Sequence, residues 1–227
     1  MRYQWILFDA DGTLFDFESA ESAALEKAFE LAGLTYESRY LELYRQINEQ
    51  IWLELERGTI RREELKIRRF QQLFAAAGLS YDPSGFSDFY LEHLARGTDL
   101  LDDAERIVRD LLGRVGLVLV TNGLKNVQRP RIAASTLSDC FDHIVISEEV
   151  GYAKPDPRIF DVAFEHMDQP ARDRVLIVGD SLTSDIRGGL DYGIDTCWFN
   201  PRGKPVDPET RARYEIRHLS EIESLIR

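Results

Sequence analysis

Cysteine is almost missing from the chain: Cys140 and Cys197 are the only two in 227 residues. Two thiols make no disulfide framework and no metal-ligand spacing. They are expected to pack in the core as small apolar groups, in a reducing, cytoplasmic compartment. Long hydrophobic runs are missing as well, and none approaches the ~18 apolar residues that a membrane span needs. Asp9 and Asp11 stand where a secretory signal would carry its apolar stretch, so no such signal is expected. Positive charge is scarce, with 28 Lys and Arg against 40 Asp and Glu and a formal net charge of −12. Such a chain repels duplex nucleic acid and anionic membranes, and neither is expected as a partner. An anionic substrate is admissible only where local cations or a metal reverse the field. There is no internal repeat and no low-complexity tract.

What is present is organised around ILFDADGTLF, Ile6 to Phe15. The apolar run Trp5-Ile6-Leu7-Phe8 reads as a strand buried on both faces, as in a parallel sheet. It ends on two carboxylates, Asp9 and Asp11, followed at once by Gly12 and Thr13. Two acids beside a dry core repel each other and need a cation or hydrogen bonds. One reading is a Mg2+-assisted site with one Asp as nucleophile or ligand and the other as acid/base. The other is a plain turn after a strand, because Asp-Gly is ordinary turn chemistry.

Beyond Phe15 the pattern turns helical. Ser19 can cap a helix to about Leu31, with Gly33 as its stop, and a second helix runs from about Glu37 to Glu56. Thr59 can cap a third, which stops at Gly78, and Pro83 opens a fourth that reaches Gly97. From Asp102 helices and strands alternate. The strand-like runs are Gly116 to Gly123, His143 to Ser147, Arg174 to Asp180 and Asp195 to Phe199. Helices fill the intervals, with one irregular near Pro130, one from about Thr183 to Tyr192, and a last one over Leu219 to Ile226. This order predicts an α/β fold: a doubly wound parallel sheet, Rossmann-like, that includes a first strand at residues 3–9 and carries a four-helix insertion after it.

Three strands thus end in polar groups: Asp9 with Asp11, Thr121-Asn122-Gly123, and Gly179-Asp180-Ser181. In a doubly wound sheet these ends share one edge. Carboxylates from two strands suit a hard cation such as Mg2+, and Thr121 with the following N–H groups can hold phosphoryl oxygens. Lys154, between a strand and a Pro-opened helix, can supply positive charge. Each residue alone has a plainer explanation, as a cap or a solvated surface charge.

DADGT, TN, KP and GDSLTSD in this order resemble the four motifs of the haloacid dehalogenase (HAD) superfamily of phosphohydrolases, across the whole chain. The resemblance implies a Mg2+-dependent phosphomonoesterase. It implies Asp9 as the nucleophile that forms an aspartyl-phosphate, and Asp11 as the acid that protonates the leaving oxygen and then activates water, entering the first step protonated. It implies Thr121 with the backbone of Asn122 as the phosphate-binding pair and Lys154 as the cation beside nucleophile and phosphate. Mg2+ is implied on Asp9, on the backbone oxygen of Asp11 and on Asp180, with Asp185 behind them on metal-bound water. It also implies a core of residues 1–15 and 97–227 and a helical cap of residues 16–96, hinged at Phe15 to Glu18 and Leu94 to Leu100. Asp11 speaks against the dehalogenase branch. QWILFDADGTLF, the Trp52 to Ile60 segment, VISEEVGYAKPDPRIFD and DTCWFNP resemble the YjjG-type pyrimidine 5'-nucleotidase branch, although Gly12 stands where some members carry an acid. The expected substrate is a small phosphorylated metabolite, foremost a nucleoside monophosphate, handled by a monomer or weak homodimer. The alternatives are a sugar-phosphate or phosphoglycolate phosphatase and a non-catalytic metabolite-binding protein. Phe17, Trp52, Phe70 and Phe89 could stack on a base or simply pack the cap.

Overall fold

The computed structural model describes residues 1–205 and 208–226. The chain forms two compact units, residues 1–17 with 98–227 and residues 18–97.

The first unit holds six parallel strands, β1 (Trp5–Phe8), β2 (Gly116–Thr121), β3 (His143–Ile146), β4 (Val175–Gly179), β5 (Asp195–Phe199) and β6 (Tyr214–Ile216), in the order β3-β2-β1-β4-β5-β6. The apolar runs become strands because both faces are covered. Ile6 and Phe8 join Leu117, Leu119, Leu176 and Val178 in one core layer, while Leu7 joins Val118, Val120 and Ile177 in the other. Each such side chain, fully removed from water, is worth about 1.5–3 kcal/mol. Helix α5 (Ala104–Leu111) buries Ala104, Ile107, Val108 and Leu111, the i, i+3, i+4, i+7 stripe of an amphipathic helix, against the first layer. The helix α8 (Pro157–His166) covers the second with Ile159, Phe160 and Ala163. Asp156 caps it by accepting from the Arg158 N–H at 2.9 Å, and Pro157 takes the first position, where no N–H is needed. The connections follow the doubly wound rule, and the order reverses between β1 and β4.

Several boundaries differ from the sequence reading. The edge strand β6 is only three residues long and unanticipated. The helix α6 (Lys125–Ala134) runs through Pro130 without breaking. The segment before α9 (Arg187–Tyr192) is a π-helical turn, Leu182–Ile186, capped by Ser181, whose Oγ accepts from the Ser184 N–H at 3.2 Å. The expected terminal helix divides into a 3-10 turn, Leu219–Glu221, and a short α10 (Ile222–Leu225). Between β3 and α8 lies a single turn, α7 (Ser147–Val150).

The second unit consists of α1 (Phe17–Leu31, whose first residue belongs to the first unit), α2 (Arg39–Glu56), α3 (Arg62–Ala77) and α4 (Pro83–Leu94). Ser19 is not a cap, because α1 has already begun at Phe17. Thr59 does not cap α3 either: its hydroxyl donates back to the Glu54 carbonyl at 2.9 Å, and Arg61 holds the cap position, its N–H donating to Glu64 at 3.0 Å. Asp82 caps α4 through the N–H groups of Ser84 and Gly85. Phe70 is a core residue of this unit, its ring centroid 5.4 Å from Tyr44 and 5.0 Å from Phe86, so the packing reading holds for it. Phe17, Trp52 and Phe89 are half-buried. Both cysteines are buried and free. Among the described residues no helix is long and apolar enough to cross a membrane.

Candidate active site

The carboxyl ends of β1, β2 and β4 lie side by side in the sheet, and every charged residue singled out from the sequence comes from the segments that leave this edge or join it. Asp9 follows β1 directly and stays tied to the sheet, its N–H donating to the Val178 carbonyl at 3.0 Å. Its Oδ1 accepts from Lys154 Nζ at 2.6 Å. The same ammonium donates to Asp185 Oδ1 and to the Val120 carbonyl, each at 2.6 Å. Lys154 and Asp185 are each 1 % exposed. Burial disfavours the ammonium, but Asp185 and Asp9 outweigh it and hold the Lys154 pKa above its usual value.

Asp185 comes from the π-helical turn, and its second oxygen accepts from the Ser181 N–H at 3.1 Å. Asp180 sits at the end of β4, where Trp198 Nε1 anchors its carbonyl at 2.9 Å. Asp9, Asp180 and Asp185 each present a carboxylate oxygen, and these atoms lie within 4.8 Å of one another. Burial, then the charge of Asp185, pushes the Asp180 pKa up to about 7. Burial likewise drives Asp9 well above the carboxylate range against the pull of Lys154, with Asp185 and Asp180 adding to the rise. Three carboxylates against one ammonium, all hard oxygen donors, fit a divalent cation such as Mg2+.

Gly12 makes this packing possible. Its φ is +80°, and a Cβ there would stand 2.9 Å from Asp180 Oδ2. Gly12→Ala is therefore expected to cost about 1–2 kcal/mol from the left-handed backbone, to displace the Asp180 carboxylate and to weaken divalent-cation binding. A urea midpoint and a magnesium titration check this, and an unchanged pair of values goes against it.

Thr121 ends β2, 1 % exposed, and its hydroxyl accepts from the Gly123 N–H at 3.1 Å. Asn122 has a use that the sequence did not suggest. Its side chain clamps the backbone of Lys154, donating to the Lys154 carbonyl at 2.8 Å and accepting from its N–H at 2.7 Å. Ser147 Oγ donates to the Asn122 carbonyl at 2.9 Å. The clamp fixes where the Lys154 side chain starts.

The Asp11 carboxylate stands apart from the three-carboxylate cluster. It accepts from Gln128 Nε2 at 2.6 Å and forms an ion pair with Arg131. Neither Gln128 nor Arg131 was singled out from the sequence. Their i, i+3 spacing on the helix after Thr-Asn-Gly was the available signal, but it reads as an ordinary polar helix face.

The model of the haloacid dehalogenase-like hydrolase family matches residues 3–193. The chain belongs to this family. This hydrolase is 34 % identical over 226 residues to the pyrimidine 5'-nucleotidase YjjG of Escherichia coli, covering 100 % of the chain and 99 % of that relative. To the pyrimidine 5'-nucleotidase PynA of Streptococcus pneumoniae it is 34 % identical over 223 residues, covering 98 % and 94 %. Its structure is similar to the magnesium-bound HAD-hydrolase YfnB of Bacillus subtilis, with a TM-score of 0.95, 37 % identity and 100 % and 99 % of the two chains covered. The hydrolase is thus an enzyme with an α/β, Rossmann-like core.

Proposed function

We propose that this hydrolase is a Mg2+-dependent phosphomonoesterase that acts on pyrimidine nucleoside 5'-monophosphates through an aspartyl-phosphate on Asp9. The observation that carries the chemistry is the Asp9 carboxylate at the end of β1, held on the Lys154 ammonium beside Asp180 and Asp185. The substrate class rests on the full-length relatives named pyrimidine 5'-nucleotidases. In this reading Asp9, Asp180 and the backbone oxygen of Asp11 would hold Mg2+, with Asp185 behind them. When bound, the ion offsets charge on the phosphoryl oxygens and keeps the carboxylates ionised. Thr121 and the N–H groups after it receive phosphoryl oxygens, and Lys154 neutralises both nucleophile and phosphate. Asp11 gives a proton to the leaving alcohol and takes one from water. We read residues 18–97 as the substrate-selecting cap and the enzyme as cytoplasmic, in keeping with two unpaired thiols.

The test is phosphate release at neutral pH, with and without Mg2+, from UMP, dUMP, dTMP, AMP, glucose phosphates and phosphoglycolate. Mg2+-dependent release favouring the pyrimidine compounds is expected. Preference for a sugar phosphate or phosphoglycolate removes the substrate assignment and keeps the chemistry. No release from any compound moves the chain to the non-catalytic binding alternative.

A pH dependence follows for the metal-free protein. The folded state holds the Asp180 pKa at about 7 against an ordinary value of 3.8, so it binds more protons than the unfolded chain between these values. That contribution to stability is complete below the ordinary value and is lost as pH rises through about 7. Mg2+ needs ionised oxygens, so its affinity is expected to climb over the same window, with proton release on binding. Calorimetry in buffers of different ionisation heat reads the proton. A flat affinity from about pH 5 to 8 contradicts the expectation.

A further inference from the structure

The carboxylate of Asp11 is gripped by two side chains, one on each oxygen. Gln128 Nε2 donates to Oδ2 at 2.6 Å, and Arg131 Nη1 pairs with Oδ1. The two donors are three residues apart on α6 and so share one face of that helix. They are 1 % and 0 % exposed. The guanidinium of Arg131 also lies over the Phe15 ring, 5.7 Å from its centroid, which fixes its plane. Room for the Gln128 side chain exists because residue 123 is glycine: a Cβ there would stand 2.3 Å from Gln128 Nε2. A carboxylate held at both oxygens by buried donors has little freedom to rotate, unlike a carboxylate that faces solvent.

The geometry points to Gln128 and Arg131 as positioning residues for Asp11, aiming its carboxyl group in both halves of the reaction. This rests on the phosphomonoesterase reading above. In the first half an Asp9 oxygen forms a bond to phosphorus and the ester P–O bond breaks. Its electron pair goes to the departing alcohol oxygen, which takes the proton of Asp11. In the second half water forms the new P–O bond and gives a proton to Asp11. The bond from phosphorus to Asp9 breaks and inorganic phosphate leaves. Asp11 is then protonated again and Asp9 is a carboxylate, so atoms, electrons and protons balance. The Arg131 ion pair is strongest in the interval when Asp11 has given up its proton, and Gln128 keeps the carboxyl plane fixed throughout.

A leaving group separates this role from a structural one. p-Nitrophenolate departs without a proton, whereas the alkoxide of a nucleoside needs one. Gln128→Met removes one donor, keeps side-chain volume and leaves Arg131 in place. It is expected to lower kcat/KM for UMP by about 10-fold or more and to change kcat/KM for p-nitrophenyl phosphate by less than about 3-fold. Slowed water attack then gives a pre-steady-state burst of p-nitrophenolate. Asp11→Asn marks the full extent of this split. Arg131→Met should show it more strongly and Arg131→Lys should recover part of it. Parallel loss on both substrates, or no loss on either, in variants that melt as the wild type does, overturns the positioning role. Wild-type protein that turns over neither substrate overturns the phosphomonoesterase reading instead, so the two failures are distinct.

Discussion

Asp9→Asn is expected to lower phosphate release by about 1,000-fold or more while the chain stays folded. The amide carries no charge to attack phosphorus, and the other carboxylate on the Lys154 ammonium, Asp185, comes from the π-helical turn rather than from the end of β1. The substitution is nearly isosteric, and its oxygen can still accept from Lys154. It also removes one of three clustered carboxylates whose ionisation burial opposes. In metal-free protein the melting temperature should therefore hold or rise, because burial outweighs the pull of Lys154 on this carboxylate and Lys154 keeps Asp185 as a charged partner. Phosphate release and a thermal melt on the same sample check both halves. Turnover within about 10-fold of wild type removes Asp9 as nucleophile. A collapsed melt makes Asp9 a residue on which the fold depends.

Lys154→Met should lower both stability and activity. Its ammonium has three acceptors, Asp9, Asp185 and the Val120 carbonyl, each at 2.6 Å. Removing one partner of a buried ionic cluster leaves uncompensated charge and costs about 3–5 kcal/mol. The lost stabilisation of phosphoryl charge should lower kcat/KM by about 100-fold or more. The two effects separate with Mg2+. Added magnesium should recover part of the urea midpoint, since it replaces the missing positive charge beside the carboxylates, and leave most of the activity loss in place. A midpoint equal to that of wild type without metal would mean that Asp9 and Asp185 do not depend on this cation.

What the sequence revealed of this molecule follows from the range of the interactions concerned. Runs such as Leu117 to Val120 and Val175 to Val178 are buried on both faces, so each declares itself as a strand within a few residues. The strand ends with Asp9, Thr121 and Asp180 stood out for the same reason. Tyr214 to Ile216 offers three residues and no alternation long enough to read, and its place at the sheet edge comes from pairing with β5. The π-helical turn at Leu182 depends on where Asp185 must point, toward Lys154 and the Ser181 N–H, and no local propensity encodes that. Gln128 and Arg131 meet Asp11 across more than a hundred residues of chain, and Asn122 meets Lys154 across 32. Such partners become visible only once the sheet has set β1, β2 and β4 side by side.

The segments flanking the helical insertion are stitched together inside the first unit. Phe15 bridges Leu100, the Asp16 N–H donates to the Asp99 carbonyl at 2.9 Å, and the Leu101 N–H donates to the Leu14 carbonyl at 2.8 Å. Departure and return therefore share one doorway, and the sheet closes its hydrogen bonds without help from residues 18–97. Such an insertion is genetically a cassette. For the first unit alone, a change in the length of that stretch enters as the closure of a loop whose ends are already pinned, a cost that rises only slowly with size. Selection could thus rework the helical stretch while Asp9, Lys154 and Asp180 were inherited untouched.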